Sequence, residues 1–163
     1  MDKPFRVFGS PVESFWQKVK KEEECWVWTG SLGGSGYGQQ RIEGKLVYAH
    51  RFSYEIHVGP IPEGMQVDHV CWTPTCVRPD HLRLATRTEN QQNRKGASAV
   101  SRSGIRGVFW DESQKVWRAE AWLNGSAHRL GRFSSPAEAE EAVVAWRREN
   151  MPYSEMDKRK EIA

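Results

Sequence analysis

Between Val67 and Leu82 the chain reads Val-Asp-His-Val-Cys-Trp-Thr-Pro-Thr-Cys-Val-Arg-Pro-Asp-His-Leu, and this stretch restricts the fold more tightly than any other. Cys71, Cys76 and His81 follow a C-x4-C-x4-H spacing. Such spacing closes compact loops around a soft, tetrahedral ion such as Zn²⁺. A fourth ligand is needed, and Cys25 is the only other cysteine. Using it completes a Cys3His site and accounts for an odd cysteine count, which suits a disulfide framework poorly. The competing reading makes Cys25 a buried apolar residue and the others a loop pair, because free cysteine is often buried.

Asp68 and His69 call for different chemistry. A carboxylate beside an imidazole, with the Asn90 carboxamide on a following helix, suits a hard, oxygen-seeking ion plus a general base. Asp68 and Asn90 are candidate ligands of Mg²⁺ or Mn²⁺, and His69 is the candidate base. Adjacent residues on a regular strand face opposite sides, so both reach one site only if the strand bends or ends at 68–69.

Patterning supplies the scaffold. Glu13 to Lys21 reads as a helix with Phe15, Trp16 and Val19 on one face. Trp26 to Thr29, Gly36 to Ile42 and Lys45 to Tyr48 alternate like strands, and Ala49 to His57 reads as a helix. Met65 to Asp68 and Leu82 to Ala85 are strand candidates. Thr86-Arg-Thr-Glu89 is a capping box opening a helix that carries Asn90 and Arg94. Lys95 to Gly104 is small, polar and glycine-containing, as linkers are. Beyond it, Ile105 to Trp110, Val116 to Leu123 and His128 to Phe133 read as three strands, with Asn124-Gly125 as a type I′ hairpin turn. Ser135-Pro136 then opens an amphipathic helix. The predicted organisation is a first domain over 1–95, a linker over 96–103, a second domain over 104–150 and a charged tail over 151–163.

Residues 24–95 resemble the HNH, or His-Me finger (ββα-metal), nucleases, in their zinc-stabilised phage and homing-endonuclease branch. The matching pieces are Cys25-Trp-Val-Trp-Thr-Gly, Gly36-Tyr-Gly, Ala49-His-Arg, Gly59-Pro-Ile-Pro-Glu-Gly, the Asp68-His69 pair, Cys-x4-Cys-x2-Pro-x-His-Leu and Thr88-Glu-Asn90. The resemblance implies an α+β fold: a ββα-metal domain with structural zinc on Cys25, Cys71, Cys76 and His81. It further implies His69 as the base that activates water, Asp68 and Asn90 as ligands of the catalytic divalent ion, and 5′-phosphate and 3′-hydroxyl products. Arg41, Arg51 and His50 lie in matching segments. An arginine there suits the charge developing on phosphate, while His50 and Arg51 equally suit a bracing role in the core.

Residues 103–142 resemble the DNA-binding domain of plant APETALA and ethylene-response factors, through Ser103-Gly-Ile-Arg106-Gly-Val-Phe-Trp110, Lys115-Val-Trp117-Arg-Ala-Glu120, Leu130-Gly-Arg-Phe133 and Pro136-Ala-Glu-Ala-Glu-Glu-Ala. That family lays a three-stranded antiparallel sheet, backed by one helix, in the major groove. Carried over, the resemblance makes Arg106, Trp110, Arg118, Trp122, Arg129 and Arg132 the candidate DNA contacts, with Arg87 and Arg94 beside the nuclease motif. Trp117 is expected beneath the helix, and His57 and His128 are read as surface or structural. Phe109 and Trp122 stand where plant members often carry arginine, so base preference does not transfer.

Composition adds bounds. Lys and Arg number 24 against 21 Asp and Glu, a net charge of +3. Those signs separate locally, with basic residues in 78–95 and 102–132 and acids in 22–24 and 138–141. A mean hydropathy of −0.72 and no apolar run near the ~20 residues of a membrane span exclude membrane-spanning helices. The opening residues lack a secretory pattern, so a cytoplasmic site is expected, the host cytoplasm if phage-encoded. Expected partners are double-stranded DNA, a second copy where both strands are cut, and the packaging proteins of a phage. The alternative function is a non-catalytic, zinc-stabilised DNA-binding protein. An RNA target is disfavoured because A-form RNA hides the groove such a sheet reads.

Overall fold

The computed structural model of the chain describes residues 10–159. The first residues of the expected nuclease domain and the last of the expected tail lie outside the described residues. The chain divides into two units, one ending at Leu84 and the next beginning at Ala85.

The first unit opens with α1 (Pro11–Trp16), started by a capping box between Ser10 and Glu13. The predicted helix ran on to Lys21, but α1 stops at Trp16, and β1 (Val19–Lys21) pairs antiparallel with β2 (Trp26–Trp28). Val19 still packs on the apolar core, as it would have from a helix, but from a strand, which a β-branched residue favours. A hairpin of β3 (Gln39–Ile42) and β4 (Lys45–Tyr48) follows. The predicted strand from Gly36 is shortened to Gln39 because Gly36 has φ +81° and Gly38 is pressed on Trp28, whose ring would lie 2.5 Å from an added Cβ. Next come α2 (Ala49–His57), then β5 (Gln66–His69) and β6 (Leu82–Ala85), which form a two-stranded sheet. Phe15, Trp28, Ala49 and Val77 form one core, flanked by Trp16, Trp26, Phe52 and Ile56. Tyr54, Val67 and Leu82 form another, beneath β5 and β6.

The second unit begins with α3 (Arg87–Gln92), opened by the predicted capping box of Thr86 and Glu89. Three antiparallel strands follow in the order β7 (Val108–Asp111), β8 (Val116–Leu123) and β9 (Ser126–Phe133). β7 starts later than predicted because Gly107 has φ +84° and sits against the Glu120 carbonyl, 2.5 Å from where a Cβ would be. Helix α4 (Pro136–Asn150) covers the sheet, with Ala139 and Val143 packed on Val108 and Ala119.

Two expectations about organisation change. Residues 96–103 lie inside the second unit, and the division falls before α3. The reason is an anchor: Arg106 Nη1 donates to the Gln92 carbonyl at 2.9 Å, and the Tyr153 amide donates to Gln92 Oε1 at 3.2 Å. The charged tail is folded as well. Its α5 (Glu155–Arg159) buries Asp157, which accepts from Arg147 Nη2 at 2.7 Å and Nε at 2.8 Å. Among the described residues, no helix is long and apolar enough to cross a membrane.

Candidate active site and metal centre

The metal cluster is assembled by two short-range turns and one distant strand. After β5 the chain turns at Trp72, with φ 56°, and the Cys76 amide closes back on the Thr73 carbonyl at 2.9 Å. A 3-10 turn, Pro79–His81, brings His81 round, and the Val70 amide meets its carbonyl at 3.0 Å. Cys25 arrives because β2 docks on this knuckle, with Trp28 N to Thr75 O and Val77 N to Trp26 O both 2.8 Å. Arg78, expected only as part of a basic stretch, fixes the Cys25 approach by donating to the Glu23 and Glu24 carbonyls at 3.0 and 3.3 Å.

The result is Cys25, Cys71, Cys76 and His81 with ligand atoms all within 4.8 Å of one another. His81 Nδ1 is 3.7 Å from Cys25 Sγ and 3.6 Å from Cys76 Sγ. Bond lengths normal for zinc give tetrahedral edges of about 3.6–3.8 Å, so the cluster fits that ion. Hydrogen bonding with Cys76 draws Cys71 down to about 4, and the same contact pushes Cys76 up. A favoured thiolate is the form a zinc ion binds. Cys25 therefore belongs with the other three, and the reading of it as a lone buried thiol is set aside.

Asp68 and His69 end β5 and are each 6% exposed. The strand stops at His69, where the sequence required it to stop for both to be usable. Their surroundings differ. Asp68 Oδ2 accepts from Arg83 Nε at 3.0 Å and lies 2.9 Å from Arg83 Nη2. His69 Nε2 sits 2.9 Å from the Cys76 carbonyl. A carbonyl only accepts, so the imidazole proton lies on Nε2 and the basic lone pair on Nδ1. Burial pulls His69 below the ordinary imidazole range, against the Cys76 carbonyl and the negative charge of Cys71 and Asp68, which raise it. The ring is thus held in its neutral, proton-accepting form. Asn90 lies on α3, in the second unit.

Other expected residues take varied places. Arg41 closes the β3–β4 turn, donating to the Gly44 carbonyl at 2.9 Å. Arg51 is half-buried on α2; burial lowers the pKa of its neighbour His50 most, and the charges of His69 and Arg51 add to that. Arg87 and Arg94 are exposed. On the sheet, cross-strand partners share a face. The register Phe109–Arg118–Arg132, with Glu120–Arg129 and Trp122–Ala127, puts Arg118, Trp122, Arg129 and Arg132 on the face away from α4. Trp122 is 63% exposed there. Arg118 is flanked by Asp111 at 3.7 Å and Glu120 at 3.6 Å, which offset part of its charge.

Two expected DNA contacts stand elsewhere. Trp110 pairs with Trp117, ring centroids 5.0 Å apart, so it belongs to the helix-side rim of the sheet. Arg106 is turned inward to Gln92 and Ser154, because a guanidinium is needed there to anchor α3. Trp117 packs beneath α4 as expected, and His128 stacks on Trp146 at 4.7 Å. Sequence reasoning missed Arg83 as the partner of Asp68. The only signal was its alternate position on the strand following the metal loop.

The match to known proteins is to a class first. Residues 47–92, from β4 through the metal loop to α3, match the family model of the HNH endonucleases. Individual relatives are viral. The chain is 42% identical over 71 residues to Protein 7.7 of Escherichia phage T7, covering 44% of this chain and 55% of that protein. It is 30% identical over 109 residues to an uncharacterized HNH endonuclease of Acanthamoeba polyphaga mimivirus, covering 66% and 54%. An uncharacterized gene 5.3 protein of Enterobacteria phage T3 is 33% identical over 60 residues, covering 37% and 55%. The chain spans about half the length of these curated relatives. No solved structure matches.

Proposed function

We propose that the chain is a divalent-metal-dependent DNA endonuclease, hydrolysing phosphodiester bonds in a ββα-metal site, with residues 104–150 as a DNA-targeting domain. The observation that carries this is His69, buried beside Asp68 with its Nε2 proton committed to the Cys76 carbonyl, in a segment of HNH type. His69 Nδ1 takes the proton from water as the water oxygen attacks phosphorus, and the 3′ oxygen leaves. Asp68 and Asn90 would be the oxygen donors to a hard cation, and Mg²⁺ or Mn²⁺ held by them would stabilise charge on the phosphate and leaving oxygen. Cys25, Cys71, Cys76 and His81 would hold Zn²⁺, which would brace the loop between β5 and β6. Arg118, Trp122, Arg129 and Arg132 form the surface assigned to DNA, arginines for phosphates and bases and the indole for sugars.

The test is supercoiled plasmid incubated with the wild type and with His69→Ala, with and without Mg²⁺ or Mn²⁺. Metal-dependent nicking by the wild type, lost in the variant, is expected. Undiminished cutting by His69→Ala removes the assigned base. A wild type that binds DNA and cuts nothing with either ion is instead a zinc-stabilised DNA-binding protein.

A further inference from the structure

His50 stands beside the assigned base and has no part in the mechanism above. It follows Ala49 at the start of α2 and is 7% exposed. Its ring centroid lies 4.8 Å from that of His69, 5.1 Å from that of Tyr37 and 5.6 Å from that of Tyr48. The Tyr37 ring also reaches His69, at 5.8 Å, so the four rings form one cluster. Within it, His50 Nδ1 is buried and has no hydrogen-bond partner.

A purely packing role does not call for that nitrogen. Phenylalanine would fill the same space and leave no polar atom unpaired, whereas a buried ring nitrogen without a partner lowers stability. Such exceptions are few in folded proteins, and each calls for a reason, a catalytic role among them. Burial, with the neighbouring His69 and Arg51, holds His50 down to about 3, so it stays neutral. A neutral imidazole carries one N–H donor, and phosphate oxygens only accept. Neutrality also spares His69 a neighbouring cation when it takes up its proton.

We propose that His50 is a further catalytic residue, its Nδ1–H donating to an oxygen of the scissile phosphodiester while its ring holds His69 in place. The proposal rests on the nuclease reading of the same site, and two substitutions separate its parts. His50→Asn keeps an amide donor near the Nδ1 position, and His50→Phe keeps the ring without a donor. In the plasmid assay, His50→Phe should cut about 100-fold more slowly, the scale of losing one donor to a charged transition state. Its Tm should equal or exceed that of the wild type, and its zinc content should be unchanged. His50→Asn should recover at least a tenth of the wild-type rate. A structural residue gives the reverse order, with activity following Tm and surviving in His50→Phe. That order, or equal cutting by all three proteins, overturns the proposal.

A second readout needs no turnover. The full chain with ¹⁵N-labelled histidine is titrated with a short DNA duplex in Ca²⁺, and a shift of the His50 Nδ1 resonance is expected. A duplex that fails to bind, or binds with His50 unmoved, overturns the contact. If the wild type cuts nothing yet His50 shifts, the nuclease reading fails and the phosphate contact stands.

Discussion

Asp68 carries its charge into a nearly buried position, and Arg83 is what makes that tenable, with two guanidinium nitrogens within 3.0 Å of Oδ2. Removing one partner of such a pair costs more than the pair itself contributes. Arg83 is 22% exposed, so water recovers part of the loss. Arg83→Ala should therefore lower stability by about 1–3 kcal/mol, read from urea melts, and reduce Mn²⁺ affinity measured by calorimetry. Arg83→Lys should recover part of the stability but only one of the two contacts. At this scale the Cys/His cluster was the legible part. Cysteine and histidine have few reasons to recur at such spacing, so Cys71, Cys76 and His81 announced themselves. Arg83 did not, because its role depends on which residue β5 places opposite it. Arg106 misled for a related reason: an arginine in a basic stretch reads as a surface contact, and only packing shows that it faces inward.

At the scale of elements, local chemistry predicted best where it acts within a few residues. The capping boxes at Thr86 and Ser135 open α3 and α4 as expected. The β1 segment failed because its structure depends on a strand beyond the acidic turn, and periodicity over nine residues does not register such a partner. Helix α5 failed similarly, since its reason to fold is Arg147. Asp157 there feels burial, which raises its pKa, but hydrogen bonds from Arg147 and Ser154 and the charges of Arg147 and Arg106 prevail and hold it below the usual range. A pKa lower in the folded state contributes stability above the unfolded value of about 3.9, and that contribution disappears as pH falls through the folded value. Second-unit stability should accordingly decline below about pH 4. Asp157→Asn should be less stable at pH 7 and show a flatter acid limb, both visible in denaturant melts followed by tryptophan fluorescence. On the sheet, alternation separates the tryptophans. Trp122→Ala should weaken duplex binding with little effect on Tm, while Trp117→Ala should lower Tm by packing loss, as fluorescence anisotropy and calorimetry will distinguish.

Across the whole molecule, the two units have separate apolar cores and depend on different supports. The first gathers the Cys/His cluster, and its larger core stacks Phe15 on Trp28. The second rests on Val108, Ala119, Ala139 and Val143. Stripping zinc with a strong chelator should thus unfold the first unit, while the second keeps its own cooperative transition. Hydrogen exchange of β2 and β5 against β8 reports this directly. A single transition lost as one would contradict independent supports.

The anchoring of Gln92 by Arg106 and Tyr153 has a consequence for how such chains are recombined. Gene shuffling and laboratory grafting both favour pliable junctions, and 96–103 would be the obvious place to cut. A crossover there exchanges the sheet and α4 but leaves α3 behind, bearing Asn90 without the residues that secure its C-terminal end. A crossover just after Leu84 moves α3 together with its fastenings. Chimeras joined at the second junction should express as folded proteins more often than those joined at the first. Inheritance would then follow the polar anchor, and the glycine-serine stretch would mark no seam.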